Sequence, residues 1–299
     1  VLVGDLATGL YIVDARRVTA PPKNQVSDFD GDGKTDFSVY SPNSGFWQIE
    51  KSSNNATSST FFGASTDKIV PGDYDGDGKT DIAVFRPSEG VWYILGSLSG
   101  FQAKPFGVNG DIPAAADYDA DGKTDIAVWR PSNGTWYISQ STLGLKGYRW
   151  GTSGDLILTG DYEGDGKSDL AVFRPSNGVW YILQSSSSLP LYRNFGTSTD
   201  KPLTGDFDGD GKSDIAVFRP SDGNWYLLNS GTNSLSVYPF GFSNDVPIPA
   251  DYDGDGKTDI AVFRPGNSVW YRLNSSNGAF NGRVFGQSGD LPSPASAQP

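Results

Sequence analysis

The chain has 299 residues, with 23 basic against 35 acidic side chains, a formal net charge of −12, and no His, Cys or Met. These absences exclude disulfides, Cys nucleophiles, zinc held by Cys or His, and every Ser-His-Asp arrangement, so acid–base chemistry is left to Asp, Glu, Lys, Tyr and Arg. The acid excess argues against nucleic acid or an anionic membrane as the main partner, because phosphate contacts need clustered Lys and Arg, and apolar runs such as Val91–Leu95 are too short for membrane insertion.

The first residue is Val1, which suggests a processed or excised chain. The lack of Cys fits a secreted protein and a cytosolic one equally. Length by itself suggests about two domains of roughly 150 residues, a prior that internal repetition overturns. An Asp-x-Asp-x-Asp-Gly-Lys-Thr/Ser-Asp string, with a few substitutions, begins at Asp28, Asp73, Asp117, Asp161, Asp206 and Asp251, at spacings of 45, 44, 44, 45 and 45 residues. Such a period marks a solenoid, a propeller or an array whose units cannot bury their faces alone.

Within the second unit the acidic loop is followed by Ile82–Phe85, then by Arg86-Pro87-Ser88-Glu89-Gly90, then by Val91–Leu95, a polar stretch, and Phe106-Gly107. Short β-branched and aromatic runs bounded by Pro, Gly and Ser read as strands. Val91, Tyr93 and Leu95 alternate with Trp92 and Ile94, so both faces of that strand are apolar and must be covered. Four short antiparallel strands per unit, covered on both sides, predict an all-β propeller blade.

The ends bear on the number of blades. Val1–Val13 aligns without gaps on Ala83–Leu95, and Phe285–Pro292 repeats the approach to a first strand, like Phe106–Pro113. The expectation is a seven-bladed β-propeller of four-stranded antiparallel blades, six whole and one split, closed by N- and C-terminal strands so that no edge stays free. A single domain then spans residues 1–293, and 294–299 reads as a tail or linker, which leaves open a chain cut from a longer array.

Each acidic loop converges oxygens on one point. Carboxylates at positions 1, 3, 5 and 9 and the carbonyl at position 7 suit the six to eight oxygen contacts of calcium, whereas magnesium prefers fewer protein ligands and retained waters. Gly at positions 4 and 6 permits the left-handed turns that curl the chain. The expected ligands are Asp28, Asp30, Asp32, Lys34 and Asp36 in the first loop, and Asp73, Asp75, Asp77, Lys79 and Asp81 in the second. In the third and fourth they are Asp117, Asp119, Asp121, Lys123 and Asp125, then Asp161, Glu163, Asp165, Lys167 and Asp169. The fifth and sixth supply Asp206, Asp208, Asp210, Lys212 and Asp214, then Asp251, Asp253, Asp255, Lys257 and Asp259. About six calcium ions are expected, with the weaker sites where Ala120 replaces a Gly and Glu163 an Asp. An EF-hand is rejected, since it needs flanking helices and Glu at position 12.

These loops, with the Phe-Gly pairs at Phe62, Phe106, Phe195, Phe240 and Phe285 and the variant Trp150-Gly151, resemble the FG-GAP/VCBS-repeat propellers, which include integrin α-subunit heads. The chain departs from that pattern in having Arg86-Pro87-Ser88 and its equivalents where Gly-Ala-Pro is expected. The resemblance implies an extracellular, calcium-dependent adhesion or recognition module.

Other residues also recur once per unit. Arg86, Arg130, Arg174, Arg219 and Arg264, with Asp67, Asp111, Asp155, Asp200, Asp245 and Asp290, are expected on the face opposite the loops as structural pairs and caps, the sharper alternative being a ligand-reading ring. Trp47, Trp92, Trp136, Trp180, Trp225 and Trp270 are expected between blades, and Trp129, where other units have Tyr or Phe, in the core. The connections from third to fourth strand vary and are polar, as loops on which partners bind often are.

The function expected is a secreted or surface-displayed calcium-binding propeller that recognises a glycan or protein ligand. A structural bead in a filament or larger adhesin is the alternative. An enzyme is disfavoured, since no group appears singly in a plausible catalytic constellation. Four carboxylates in each of six loops account for 24 of the 35 acids, and six divalent cations would bring the net charge of −12 to zero.

Overall fold

A computed structural model describes residues 2–5, 9–12 and 27–294. The repeats fold as six four-stranded antiparallel sheets. In blade 2 the strands run Lys68–Ile69, Ile82–Arg86, Val91–Gly96 and Gly100–Pro105, from the first, inner strand to the outer edge. Blades 3 to 6 follow the same order along the chain. The outer strands are mostly exposed, while the second strands, such as Ile126–Arg130, are buried except at the terminal Arg.

The apolar alternation seen in the sequence is used as inter-blade packing. Trp92, Ile94, Phe85 and Ala83 of blade 2 pack with Ile126 and Val128 of blade 3. Equivalent clusters join blades 3 and 4, 4 and 5, 5 and 6, and 1 and 2. The sixth cluster joins Ala261, Phe263 and Trp270 of blade 6 to Val39 of blade 1 and closes the circle. All six once-per-blade Trp are 0% exposed, and each indole N–H donates to the carbonyl of the Phe-Gly pair, or of Trp150 in blade 3. Each therefore buries a large apolar ring without stranding its one donor.

The blade count corrects the expectation of seven. The C-terminal strand Leu291–Pro292 does form the inner strand of a blade, but it pairs with Phe37–Ser41, completing the unit that carries the first acidic loop. Ser293 locks it there, its hydroxyl bonded to those of Ser27 and Ser38. Among the described residues the N-terminal segment supplies no outer strands. Leu2–Asp5 pairs with Gly9–Ile12 as a two-stranded sheet of its own, with Leu2 opposite Ile12. That register is one residue tighter than in a blade, where Val84 faces Tyr93 and the aligned pair would be Leu2 and Tyr11. Similarity to strands two and three thus reflects a hairpin pattern, and pairing of Leu291–Pro292 with the first unit leaves no gap for a seventh blade. The remainder of the 1–13 expectation and the tail 295–299 lie outside the described residues.

Candidate cation loops and the opposite face

Each acidic loop is organised by its first residue. The Asp28 carboxylate accepts the N–H groups of Gly31, Asp32 and Gly33 at 2.7, 3.2 and 2.9 Å, and Asp73 takes those of Gly76, Asp77 and Gly78 at 2.6, 3.2 and 2.8 Å. The curl needs positive φ at position 4, where Gly31 and Gly76 sit at 78° and 80°. Ala120 adopts the same conformation at 62° despite its Cβ.

Position 9 closes the loop from below. Asp36 accepts the N–H of Phe29 at 2.8 Å and that of Ser52 at 2.7 Å. Asp81, Asp125, Asp169, Asp214 and Asp259 likewise accept the N–H groups of Ser97, Ser141, Ser185, Ser230 and Ser275. These serines open the variable turns and tie them to the acidic loops, a role not assigned from sequence. The signal was available, since each Ser follows its Asp by 16 residues in all six repeats. Burial pushes Asp36, Asp81, Asp125, Asp169 and Asp259 up to about 6 and raises Asp214, against the downward pull of those N–H groups. Burial also raises Asp28, Asp73, Asp117 and Asp251.

The expected carboxylates converge in most loops. Oxygens of Asp28, Asp30 and Asp32 lie within 4.8 Å of one another, as do those of Asp206, Asp208 and Asp210 and of Asp251, Asp253 and Asp255. In the second and third loops position 9 completes the trio: Asp73, Asp75 and Asp81, and Asp117, Asp119 and Asp125. Asp77 and Asp121 lie outside these trios and accept the Ser97 and Ser141 hydroxyls, both at 2.6 Å, a contact that Asp210 and Asp255 also make with Ser230 and Ser275. The fourth loop brings no such trio together among the described residues. There Glu163 is engaged by the Ser186 N–H at 2.6 Å and the Ser185 and Ser186 hydroxyls at 3.0 and 2.8 Å, while Asp161 caps the turn and Asp165 accepts the Lys167 N–H.

The residues present fit a hard divalent cation. The Oδ1 atoms of Asp30, Asp75 and Asp119 are buried with no hydrogen-bond partner, a costly state for a carboxylate unless a cation or water takes the free oxygen. The carbonyls of Lys34, Lys79, Lys123, Lys167, Lys212 and Lys257 accept no backbone hydrogen bond among the described residues.

The loops also form a circle. The position 8 N–H of each donates to the position 1 carbonyl of the loop before it: Thr80 to Asp28, Thr124 to Asp73, Ser168 to Asp117, Ser213 to Asp161 and Thr258 to Asp206. Thr35 closes the circle on Asp251 at 2.8 Å. Lys79, Lys123, Lys212, Lys257 and Lys34 at position 7 lie over Gly31, Gly76, Gly164, Gly209 and Gly254 at position 4 of the preceding loop, so closely that a Cβ on Gly76 would stand 2.7 Å from Lys123 Cε.

On the opposite face the recurring Arg and Asp meet within each blade. Arg86 donates through Nε and Nη2 to both Asp67 oxygens at 2.8 and 2.9 Å, and Arg130, Arg174, Arg219 and Arg264 repeat the fork on Asp111, Asp155, Asp200 and Asp245. Each guanidinium also stacks on a Tyr ring, at 4.2 to 4.6 Å. In blade 1 Ser41 takes the place of Arg and donates to Asp290. With both fork donors and the stacking face occupied, and the Asp side chains at most 1% exposed, this ring is structural rather than a free Arg array for ligands. Trp129 is core, its indole N–H donating to the Trp150 carbonyl at 3.1 Å.

Fold and loops together define a β-propeller built from acidic-loop repeats. The FG-GAP-like repeat profile matches residues 28–84, 73–128 and 206–262, and the FG-GAP repeat profile matches 248–285. The chain belongs to the FG-GAP repeat family. None of the curated proteins compared with it matches. Among solved structures it is similar to an Agrocybe aegerita lectin that recognises non-reducing terminal N-acetylglucosamine, at 17% identity and a TM-score of 0.56 over 86% of this chain and 77% of that one. It is also similar to a streptogramin B lyase, at 10% identity and 0.55 over 89% and 87%, and to a Staphylococcus aureus virginiamycin B lyase, at 8% identity and 0.52 over 87% of each. At these identities the likeness is one of fold.

Proposed function

We propose that the chain is a calcium-stabilised recognition module, acting outside the cell or on its surface, that binds a glycan or protein ligand and performs no catalysis. The observation that carries this reading is the set of buried, unpartnered Oδ1 atoms at Asp30, Asp75 and Asp119, each inside a loop of converging carboxylates. Calcium would take the loop carboxylates and the position 7 carbonyls, and would supply fixed positive charge that holds the variable turns through the position 9 Asp and its Ser. Extracellular modules bind calcium at about 10⁻⁴–10⁻³ M, the range expected of these loops on this reading. The lectin shows the same kind of scaffold holding a sugar in another protein, and equivalent blades would convert several weak contacts into avidity. Against catalysis stands the repetition itself, since the conspicuous charged groups recur in several blades and the Arg forks are already paired.

The test is a glycan array and a matrix-protein panel, each run with calcium and with chelator. Calcium-dependent binding is expected. Flat responses on both would favour the alternative role, a structural subunit of a larger surface assembly, and calcium-dependent turnover of a polysaccharide would favour an enzyme.

A further inference from the structure

One of the six interfaces departs from the repeat at several positions together. Between blades 3 and 4 lie Ala120 with its positive φ, the Trp129 and Trp150 pair, and Glu163 in the one loop that gathers no trio. Two cavities open on this interface. One of about 150 Å³ lies at its Arg-bearing end, beside Trp150, Arg174 and Tyr192. The other, of about 240 Å³, lies at the acidic-loop end and is lined by Tyr118, Gln140, Lys146, Tyr148, Lys167 and Leu183 among others.

The larger cavity has an unmet polar requirement. Gln140 Nε2 donates to the Tyr118 carbonyl at 3.1 Å, and its Oε1 is buried with no partner. In blade 6 the equivalent amide, Asn274, is satisfied internally by Asn281 Nδ2 at 3.2 Å. In blade 3 the matching outer-strand residue is Lys146, opposite Ile138, with Tyr148 two residues on, opposite Trp136. No other blade combines amide, ammonium and phenol at these positions: blade 2 has Gly96, Gln102 and Lys104, blade 4 has Gln184, Leu191 and Arg193, and blade 5 has Asn229, Ser236 and Tyr238. Neither Lys146 nor Lys167 forms an ion pair with a described residue.

A ligand for this cavity must donate to a buried amide oxygen, carry negative charge for two ammonium groups, and lay an apolar ring face on Tyr148 and Leu183. The volume is below the roughly 300–1,000 Å³ of drug-sized sites and holds one sugar ring. We propose that the blade 3–4 cleft binds a carboxylated sugar, a uronate unit of an acidic glycan, with a ring hydroxyl donating to Gln140 Oε1 and the carboxylate held by Lys146 and Lys167. This rests on the glycan reading given above and narrows it to one site and one charge class.

The experiment is titration of the full chain, in fixed calcium, with methyl β-glucuronide and with methyl β-glucoside, followed by ligand-observed NMR. The glucuronide is expected to bind about tenfold or more tightly than the glucoside, as charge-assisted hydrogen bonds require. Lys146→Ser and Gln140→Gly install residues that blades 5 and 2 carry at the same positions, so the melting temperature should hold while glucuronide affinity falls about tenfold. Lys146→Arg should retain it. Equal binding of both sugars, no binding of either, or glucuronide binding that survives Lys146→Ser and disappears with chelator would each overturn the proposal, the last by assigning the carboxylate to a loop cation. Neutral glycans that bind in the panel and are indifferent to these variants would leave the glycan reading standing and remove this site, whereas an array silent to every glycan would remove this site and the glycan reading together and leave only a protein ligand.

Discussion

At the residue scale the six position 9 aspartates set the behaviour of the cation-free protein. Their side chains are 0–1% exposed, and five of them titrate near 6 because burial disfavours the charged form. A folded pKa above the unfolded value of about 3.9 means that this stabilisation is complete below that value and lost as pH rises through 6. In chelator the melting temperature should therefore fall between pH 4 and pH 7. Calcium requires the deprotonated carboxylates, so in its presence the slope should flatten or reverse over the same window. Thermal melts at four or five pH values, with and without calcium, check this, and a rising curve in chelator would count against the assignment. Ala120 gives a second residue-scale expectation. It sits at φ 62° where the five other loops have Gly, and left-handed backbone costs a residue with a Cβ roughly 1–2 kcal/mol. Ala120→Gly should raise stability by about 1 kcal/mol after the entropic cost of Gly, a gain readable in a denaturant titration.

At the element scale the decisive piece is the short C-terminal strand. Leu291–Pro292 covers the edge of Phe37–Ser41, and Ser293 ties both to Ser27. Truncation after Gly289 should expose that edge, lower the melting temperature sharply and promote association visible by size-exclusion chromatography. Removal of residues 1–12, which pair only with each other among the described residues, should change stability by less than about 1 kcal/mol. If the two deletions behave alike, the six-bladed closure is wrong. The closing interface is also chemically distinct. Where blades 3 and 4 bring Ile138 and Leu183 together, blade 6 offers Arg272, 4.8 Å from the Phe37 ring, and blade 1 offers Glu50, paired with Arg283 at 2.6 Å. The seam thus carries one ion pair, from Arg283 of blade 6 to Glu50 of blade 1, whereas the buried Arg272 Nε has no hydrogen-bond partner and its guanidinium is held by ring stacking alone.

At the scale of the whole molecule the net charge of −12 is explained by position rather than by composition. The acids are concentrated in six loops joined into one circle by the position 8 N–H groups, so without cations their repulsion acts around a closed ring. Chelation should lower the melting temperature by several degrees, since a ligand that binds only the folded state contributes about 2.7 kcal/mol at a hundredfold excess over its dissociation constant. Scanning calorimetry across a calcium titration measures it, and an unchanged melt would remove the cation reading.

The sequence by itself determined the blade, its strand order and the identity of the loop residues, because these depend on local chemistry that every repeat states again: the 44- to 45-residue period, the two-sided apolar strand around each Trp, and Asp-Gly turns. The tertiary structure alone decided the number of blades, since that turns on which distant strand Leu291–Pro292 pairs with, and hairpin similarity at Val1–Val13 carries no information about partners. It also decided that the Arg–Asp ring is occupied by itself and that Glu163 is drawn to Ser185 and Ser186. The same holds for Gln140, which looks like any polar strand-end residue until the fold buries its free oxygen. In each case the physical reason is the same: periodicity records what a residue needs from its own repeat, and only the closed ring shows what the neighbouring blade supplies or withholds.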